Sequence, residues 1–296
     1  MMADLAVLGH VVIDEVIDAG GERTQLGGPP TYVSLAARKL RKSVKAVTKV
    51  GGDFPQEYIS QLLELGVELE GMIVDGAETT RFVLDYRGTE RRLSVRSICV
   101  EIEPGDVSEL PEVVLINPVA GEVPPSVVSL IRADLMALDP QGYVRDIGED
   151  GRVLPKRWFD GALLRRLDVF KASEEELSLV TGEANPLWGM DKLVTLGIAV
   201  VIATRGNEGA LLAAGRRRFS IPACEVRDPL DATGAGDVFM GGFLSEHLDG
   251  EEPLWCASMG AAMASCVVET LGPRIDASRG KVRRRADDVY NRIKEL

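Results

Sequence analysis

The residues best suited to chemistry lie between Asp228 and Leu244, in the run DPLDATGAGDVFMGGFL. Gly234, Ala235 and Gly236 have minimal side chains, so their consecutive main-chain N–H groups can converge on an anion. The apolar residues that follow predict a helix whose N-terminus faces that anion. Asp237 comes directly after the turn, where its carboxylate could accept the proton of a hydroxyl that attacks a bound phosphate. The spacing therefore indicates phosphoryl transfer to an alcohol without a P-loop.

The same run has a simpler interpretation, in which Gly-Ala-Gly is only a turn that needs positive φ angles. Short G-x-G-D matches are common, but the whole run is more specific. D-A-T-G-A-G-D-V-F-M-G-G-F closely resembles the C-terminal signature of the ribokinase-like (PfkB) carbohydrate kinases. The resemblance implies that Asp237 is the catalytic base and that Gly234, Ala235 and Gly236 hold the transferred phosphate.

A candidate substrate residue follows the first apolar run. Leu5 to Val12 is almost continuously apolar, which predicts a buried strand of a parallel sheet with Asp14 at its carboxyl end. Ligands of open α/β sheets bind at that end, so Asp14 is either a hydrogen-bond acceptor for substrate hydroxyls or a solvated loop acid. By the resemblance, Asp14 matches a substrate-binding Asp of the family, whereas His10 departs from its usual Asp or Asn.

The next candidate is the turn Gln25 to Pro30, which precedes a helix predicted from Thr31 to Leu40. Gly27 and Gly28 resemble the N-terminal G-G signature of the family, which implies a place beside the substrate. Tyr32 stands where family members that act on furanose sugars typically carry Asn, and this departure argues against ribose. The alternative is a proline-rich helix start that binds nothing.

Polar residues also follow the later apolar runs, which are predicted strands. Together, GHVVID, NPVAGEVP and DPQGYVR resemble the myo-inositol kinase branch of the family. Under that interpretation Gln141 and Arg145 line the polyol or phosphate side of the cleft. Otherwise they are a loop Gln and a surface Arg. The predicted strands are Val44–Val50, Val113–Ile116, Met136–Leu138, Leu167–Phe170 and Val200–Ala203.

A window that begins at Lys171 is a candidate for the nucleotide side. Ser173 as N-cap and Glu176 three residues later form a capping box, which explains both residues without any function. The window also resembles the family's N-x-x-E motif, with Ser173 in place of Asn. The resemblance implies that Lys171 and Ser173 border the nucleotide and that Glu176 helps to organise Mg²⁺ through water.

The turn after the strand Val200–Ala203 is the second candidate on this side. Thr204, Gly206 and Gly209 resemble the family's T-x-G-x-x-G turn, which borders the nucleotide. Arg205 is expected either to contact a phosphate of ATP or to be solvated. Mg²⁺ is expected in either case, because the phosphates of ATP need a counter-charge during transfer.

Between Thr79 and Val100 the period changes to two. Phe82–Tyr86 and Thr89–Val95 alternate around Arg87-Gly88, which predicts a hairpin. Two strands cannot stand alone, so the hairpin must pair with the chain around Glu15–Gln25 or with a second subunit. In the resembled family such segments form a β lid, often shared in a dimer. We therefore expect a lid from about residues 13–26 and 79–100, and a homodimer through it.

The overall pattern predicts one ribokinase-like α/β domain over residues 1–296, with a doubly wound, mostly parallel sheet, helices on both faces and the small β lid. Ala210–Ala213 is predicted to be an edge strand and Arg283–Leu296 a terminal helix. Trp255–Val268 is rich in small residues, which predicts a helix that is buried on most sides.

Composition excludes several classes of protein. The net charge of −12 disfavours nucleic acid as a partner. The four cysteines form no C-x-x-C pair, which argues against a zinc site or a disulfide scaffold. No apolar run is long enough to cross a bilayer, and the N-terminus lacks the features of a signal peptide, so we expect a cytoplasmic protein without a membrane partner.

The favoured hypothesis is an ATP- and Mg²⁺-dependent kinase that phosphorylates a small polyol or sugar, with myo-inositol as the first candidate. A sugar or nucleoside kinase of the same family is the alternative within this class. A non-catalytic ligand sensor on the same fold is the alternative from another class. A Rossmann dehydrogenase is disfavoured, because the first strand is followed by Gly9-His10-Val11-Val12 and not by G-x-G-x-x-G.

Overall fold

The computed structural model of the protein describes residues 3–18, 20–68, 72–88 and 92–296. Its strands are β1 (Leu5–Leu8), β2 (Val12–Asp18), β3 (Gly21–Gly27), β4 (Val44–Val47), β5 (Val50–Gly51), β6 (Val67–Glu68), β7 (Ile73–Val74), β8 (Arg81–Asp85), β9 (Arg92–Ser97), β10 (Val113–Ile116), β11 (Leu135–Leu138), β12 (Arg145–Ile147), β13 (Val153–Pro155), β14 (Val169–Ser173), β15 (Val200–Thr204), β16 (Ala210–Ala214), β17 (Arg217–Ile221) and β18 (Lys294–Glu295). Its α-helices are α1 (Pro29–Lys39), α2 (Gln56–Glu64), α3 (Pro125–Val128), α4 (Gly161–Leu164), α5 (Glu174–Thr181), α6 (Pro186–Thr195), α7 (Ala235–Leu248), α8 (Pro253–Val267) and α9 (Arg279–Asn291).

The largest sheet has the strand order β18-β17-β16-β15-β14-β11-β10-β1-β4-β6. All pairs from β6 to β15 are parallel, and β16, β17 and β18 add antiparallel strands at one end. Parallel neighbours need crossover connections, which bring helices over the faces of the sheet. The sheet is therefore the doubly wound, mostly parallel sheet that the sequence predicts.

The central strands are buried on both faces because successive side chains point to opposite sides. Leu5 and Val7 of β1 belong to a cluster with apolar residues of α1, α7 and α8. Ala6 and Leu8 belong to a second cluster with apolar residues of α3, α5 and α6. Helices on both faces are thereby confirmed, and the continuous apolar runs of these strands have their physical explanation.

A second, smaller sheet has the order β3-β2-β8-β9. Strand β2 is antiparallel to β3 and parallel to β8, while β8 and β9 form the predicted hairpin. Val12, Val16, Phe82 and Leu84 pack together, with Val119 from the loop after β10. The hairpin therefore pairs with the chain that follows β1, the first of the two expected partners. Closure of this sheet as a lid stays a prediction.

The first predicted strand was wrong in its extent. Strand β1 ends at Leu8, and the chain turns at Gly9, where a Cβ atom would lie 2.1 Å from the carbonyl oxygen of Asn117. After this close contact the chain leaves the large sheet and enters β2. Asp14 therefore lies inside a strand of the small sheet and not at the end of a central strand.

Two predictions near the C-terminus were also wrong. Ala210–Ala213 is not an edge strand, because β17 pairs with β16 on the side away from β15. The terminal helix ends at Asn291, and Lys294–Glu295 form the edge strand β18. The arginines of β17 obscured its alternation in the sequence. In the hairpin, β9 begins at Arg92, and residues 89–91 lie outside the described residues.

Within the described ranges, no helix is both long and apolar enough to cross a membrane. The most apolar helices, α7 and α8, are instead buried, partly in the cluster that contains Leu5 and Val7 and partly in a third cluster shared with α1 and α9.

Candidate active site

Asp237 lies in the first turn of α7, and its side chain is buried. The helix begins after Gly234, which has φ 73° and thus the left-handed conformation that favours glycine. A Cβ atom at this position would also lie 2.3 Å from ring atoms of Tyr32. Backbone conformation and close packing both require glycine here, and together they fix the direction in which α7 begins.

The main-chain N–H groups at the start of α7 are arranged for an anion. Among the described residues, those of Gly234, Gly236 and Asp237 donate to no main-chain carbonyl, whereas that of Ala235 donates to Ala232 at 3.3 Å. Unpaired N–H groups at a helix start attract a phosphate, and the helix dipole adds to this attraction. The two glycines are therefore the better placed of the three expected phosphate-binding residues.

A directional chain of hydrogen bonds reaches the carboxylate of Asp237. Arg145 Nη2 donates to Gln141 Oε1 at 2.9 Å, and Gln141 Nε2 donates to Asn117 Oδ1 at 2.8 Å. Asn117 Nδ2 then donates to Asp237 Oδ1 at 2.8 Å, and Gln141 Nε2 also lies 3.2 Å from the same oxygen. A guanidinium can only donate and a carboxylate only accept, so the two ends set the direction of the chain.

This arrangement has a consequence for the second carboxylate oxygen. Within the part of the chain that the structure describes, every hydrogen bond to the Asp237 side chain goes to Oδ1. Oδ2 is thereby left for a hydroxyl group of an acceptor. Burial raises the pKa of Asp237, and the charge of Lys171, the hydrogen bond from Asn117 and the charge of Arg145 limit the rise. A raised pKa makes the carboxylate a stronger base.

A buried ion pair lies on the other side of the turn. Lys171 Nζ donates to Asp139 Oδ2 at 2.6 Å, and both side chains are almost completely buried. Burial alone would lower the pKa of Lys171, but Asp139, Glu176 and Asp237 together raise it, so the ammonium stays charged. Burial raises the pKa of Asp139 to about 6. A Cβ atom on Gly236 would lie 2.5 Å from Nζ, so this charge sits directly against the phosphate-binding turn.

The first of two cavities beside the turn is the acceptor cavity. It has a volume of about 90 Å³, and the small sheet closes it with Phe82, Leu84 and Leu93. Gly27 lies beneath it, because a Cβ atom there would be 2.1 Å from Asp14 Oδ2. Its polar lining comes from Asp14, Gln141, Arg145, Thr233 and Asp237, together with the main chain of Gly28 and Gly234.

The second cavity, the donor cavity, has a volume of about 380 Å³ and a largely apolar lining. It lies between the start of α7, helix α8 and the turn after β15. The predicted nucleotide residues in its wall are Thr204, Gly206, Gly209 and Gly236, and Ala235, which was predicted to hold the phosphate, lies there too. Gly209 cannot carry a side chain, since its φ is 91° and a Cβ atom would lie 2.1 Å from the carbonyl oxygen of Ile221.

Five predicted residues do not line either cavity: Gly27 and Lys171, described above, and Ser173, Glu176 and Arg205. Ser173 and Glu176 form the capping box of α5, in which Glu176 Oε2 accepts from Ser173 N at 2.8 Å and Ser173 Oγ accepts from Glu176 N at 3.2 Å. Arg205 lies near Glu174 at 3.8 Å and Glu208 at 3.6 Å. The structural explanation of the capping box is thus correct, and the metal role of Glu176 stays a prediction.

Sequence reasoning missed Asn117, Asp139 and Thr233. Asn117 and Asp139 each follow a central strand directly, and both are buried beside the turn. Position at a strand's carboxyl end was the signal that could have identified them. Thr233 lies 3.4 Å from the hydroxyl of Tyr86, and its N–H donates to Asp231 Oδ1 at 2.9 Å. The residue that follows β8 therefore contacts the start of the glycine turn.

Comparisons with known proteins identify kinases that this chain resembles. The model of the pfkB family carbohydrate kinases matches residues 143–279. The chain is 26% identical over 284 residues to the cytidine kinase of Thermococcus kodakarensis. The aligned residues cover 92% of this chain and 98% of that protein.

Solved structures of the ribokinase family have the same fold. A pyrophosphate-dependent kinase, complexed with a pyrophosphate analog and myo-inositol, matches with a TM-score of 0.78 at 20% identity and covers 95% of this chain and 99% of its own. The ribokinase of Thermotoga maritima matches with a TM-score of 0.76 at 22% identity, and the match covers 97% of this chain and 100% of the ribokinase chain. The chain therefore has a ribokinase-like fold, and its residues 143–279 are similar to the pfkB family carbohydrate kinases.

Proposed function

We propose that the protein transfers the terminal phosphoryl group of ATP to an alcohol group of a small polyol or sugar, with myo-inositol as the first candidate. One observation carries this proposal. The turn from Thr233 to Asp237 lines both cavities, with Thr233, Gly234 and Asp237 on the acceptor side and Ala235 and Gly236 on the donor side. A hydroxyl in one cavity and a phosphate at the edge of the other would meet across this turn.

The chemistry follows from the positions of these groups. Asp237 Oδ2 accepts the proton of the acceptor hydroxyl as its oxygen bonds to the phosphorus, and the nucleoside diphosphate leaves. The N–H groups of Gly234 and Gly236 and the ammonium of Lys171 stabilise the charge that develops on the phosphoryl oxygens. Closure of the small sheet would exclude water, which prevents hydrolysis of ATP.

The donor cavity supports a nucleotide as donor. Its apolar wall, with Phe239, Ala264 and Val268, suits a purine ring, and its volume of about 380 Å³ exceeds what inorganic pyrophosphate needs. Pyrophosphate has no base that could fill this apolar slot, so ATP is the expected donor here.

Mg²⁺ fits the site only together with the nucleotide. Among the described residues, no group of three His, Cys, Asp or Glu side chains could hold a metal ion. Mg²⁺ keeps most of its water and binds mainly through phosphates in kinases. Asp139 and Glu176 lie near Lys171 and would contact water molecules of the ion, which would supply counter-charge to the phosphates.

The acceptor cavity supports a compact polyol. Carboxylates, an amide and a guanidinium line it, and these groups bind hydroxyls from several directions. Its volume of about 90 Å³ is small even for a six-carbon polyol, so the small sheet must move to admit one and must move further for the base of a nucleoside. A nucleoside kinase, as in the relative from Thermococcus kodakarensis, or a sugar kinase is the alternative, and it would require a wider opening of the small sheet.

The test is a panel of acceptors that includes myo-inositol, other inositols, ribose, fructose, fructose 6-phosphate and cytidine, with ADP release as the readout. Each acceptor is also assayed with pyrophosphate in place of ATP. We expect turnover with ATP and highest kcat/KM for myo-inositol. Highest kcat/KM for cytidine would support the nucleoside alternative. No turnover of any acceptor, with nucleotide binding intact, would favour the non-catalytic sensor.

The predicted homodimer belongs to the same proposal. Strand β3 is at the edge of the small sheet, where a second copy could add a strand. Size-exclusion chromatography with light scattering would give a mass of twice 32.0 kDa if this pairing forms.

A further inference from the structure

The hydroxyl group of Tyr32 is a buried polar group that the proposed reaction does not use. Tyr32 is 1% exposed, and its side chain lies in the wall of the acceptor cavity. Among the described residues, its hydroxyl oxygen has no hydrogen-bond partner. Buried hydroxyls are nearly always bonded, because an unpaired one loses its bonds to water without compensation. This exception lies at the site where a substrate with several hydroxyls would bind.

The position of this hydroxyl is fixed by packing. Tyr32 lies in the first turn of α1, and its ring packs against Gly234, where no Cβ atom could be accommodated. The ring is therefore held between two helix starts and cannot rotate freely to find another partner. The unpaired hydroxyl is a property of the site and not of a mobile surface side chain.

The groups around the hydroxyl decide what it can do. Asp14, Asp231, Asp237 and the hydroxyl of Tyr86 are the titratable groups that act on it. Burial raises the pKa of Tyr32 well above its ordinary value, and these carboxylates add to the rise, so the phenol stays protonated and can donate. Each substrate hydroxyl both donates and accepts. Asp14 and Asp237 can accept a hydrogen bond from a substrate hydroxyl, but the oxygen of that hydroxyl also needs a group that donates to it.

We propose that Tyr32 is a specificity-determining residue, whose hydroxyl donates a hydrogen bond to one particular hydroxyl of a compact polyol or sugar in the acceptor cavity. This inference rests on the proposed function and extends it. Tyr32 would select acceptors by a second hydroxyl, which is distinct from the hydroxyl that is phosphorylated at Asp237. An acceptor without a hydroxyl at this point leaves the phenol unpaired and binds less well.

The test is Tyr32→Phe, which keeps the ring against Gly234 and removes only the hydroxyl. For the best acceptor of the panel, we expect KM to increase about 3- to 10-fold, while KM for ATP changes less than about twofold. We also expect the melting temperature without ligands to stay the same or rise, because the hydroxyl that is removed has no partner among the residues that the structure describes.

Tyr143→Phe is the matched control. The Tyr143 hydroxyl is also buried, but it donates to the carbonyl oxygen of Val123 at 2.6 Å. Its removal should lower the melting temperature and leave the acceptor KM unchanged. If Tyr32→Phe instead lowers the melting temperature as Tyr143→Phe does, or leaves the acceptor KM unchanged, Tyr32 has only a structural role and the inference is wrong.

Monodeoxy analogues of the best acceptor show which hydroxyl is bound. For the analogue that lacks it, the wild-type protein and Tyr32→Phe should have the same KM, and for the other analogues the difference should remain. A difference that persists with every analogue would overturn the inference. If the wild-type protein phosphorylates nothing in the panel, the proposed function fails and the inference fails with it, an outcome distinct from an active enzyme that tolerates Tyr32→Phe.

Discussion

The acceptor and donor cavities share one turn, yet they differ in almost every property. The acceptor cavity has a volume of about 90 Å³ and is lined by two carboxylates, an amide and a guanidinium. The donor cavity has a volume of about 380 Å³, and alanine, glycine, valine and proline dominate its wall. Directional hydrogen bonds suit recognition of hydroxyls, whereas apolar burial suits a flat base. Under the proposed function, we therefore expect selectivity to reside in the acceptor cavity and general affinity in the donor cavity.

One helix start can serve two such different cavities because of helix geometry. Successive residues of an α-helix point in directions that differ by about 100°. Gly234 and Asp237 are three residues apart and lie on one side, while Ala235 and Gly236 turn toward the other. The short turn therefore separates the two cavities and keeps a hydroxyl and a phosphate within reach of each other.

The largest expected effect comes from the acceptor side, with Asp237→Asn. The amide keeps the shape of the side chain but cannot accept a proton, so we expect kcat to fall about 10²- to 10⁴-fold. Calorimetry should give a Kd for ATP close to that of the wild-type protein, because Asp237 does not line the donor cavity. A variant that keeps more than a tenth of the activity would show that Asp237 is not the base.

The second prediction concerns the donor side. Ala264 lies in the wall of the donor cavity, so Ala264→Leu should narrow the slot and raise KM for ATP about tenfold. KM for the acceptor and the melting temperature should change little, because the two cavities are separate. An equal rise in both KM values would contradict the division of roles between the cavities. Unchanged kinetics with ATP would show that the base binds elsewhere.

A smaller effect is expected on the pH dependence of the acceptor side. Asn117 donates to Asp237 and thereby limits the rise of the Asp237 pKa that burial causes. Asn117→Leu, which has a similar size, should raise this pKa further. Because the base must be ionised, the acidic limb of kcat/KM against pH should move to higher pH. A limb that stays in place, in a variant with the wild-type melting temperature, would show that Asn117 does not stabilise the carboxylate.

The smallest effect is expected for Glu176→Gln. Glutamine can replace glutamate in a capping box, so the start of α5 and the melting temperature should be preserved. If Glu176 also orders water around Mg²⁺, half-maximal activity should require about two- to threefold more Mg²⁺. An unchanged Mg²⁺ titration would leave the capping box as its complete explanation.

The sequence could predict those parts of the fold that local pattern controls. Continuous apolar runs identified the central strands, and Ser173 with Glu176 identified a helix start. The pattern did not separate β1 from β2, because the apolar run Leu5–Val12 continues without a break from the large sheet into the small sheet. It also missed β17, where Arg217 lies on the same face as the buried Phe219 and Ile221 and so masks the period of two.

The candidate site divides in the same way. Asp237 with Gly234 and Gly236 could be recognised because one continuous run holds the carboxylate, the glycines and the helix start. Asn117 and Asp139 could be recognised only as polar residues at strand ends. Their place beside Asp237 could not be predicted, since they are more than 90 residues from it along the chain and reach it only when neighbouring strands align their ends. The buried environment of Lys171 was equally hidden from sequence reasoning.

By itself, the sequence determined the local features of this protein: an aspartate beside a glycine turn, strands that are buried on both faces and a helix that starts at that turn. These features depend on residues within one helical turn or strand. The tertiary structure alone decided which amide holds Asp237, how the small sheet closes the acceptor cavity and why the Tyr32 hydroxyl is unpaired. Such contacts join distant segments, and they form only when the sheets bring those segments together.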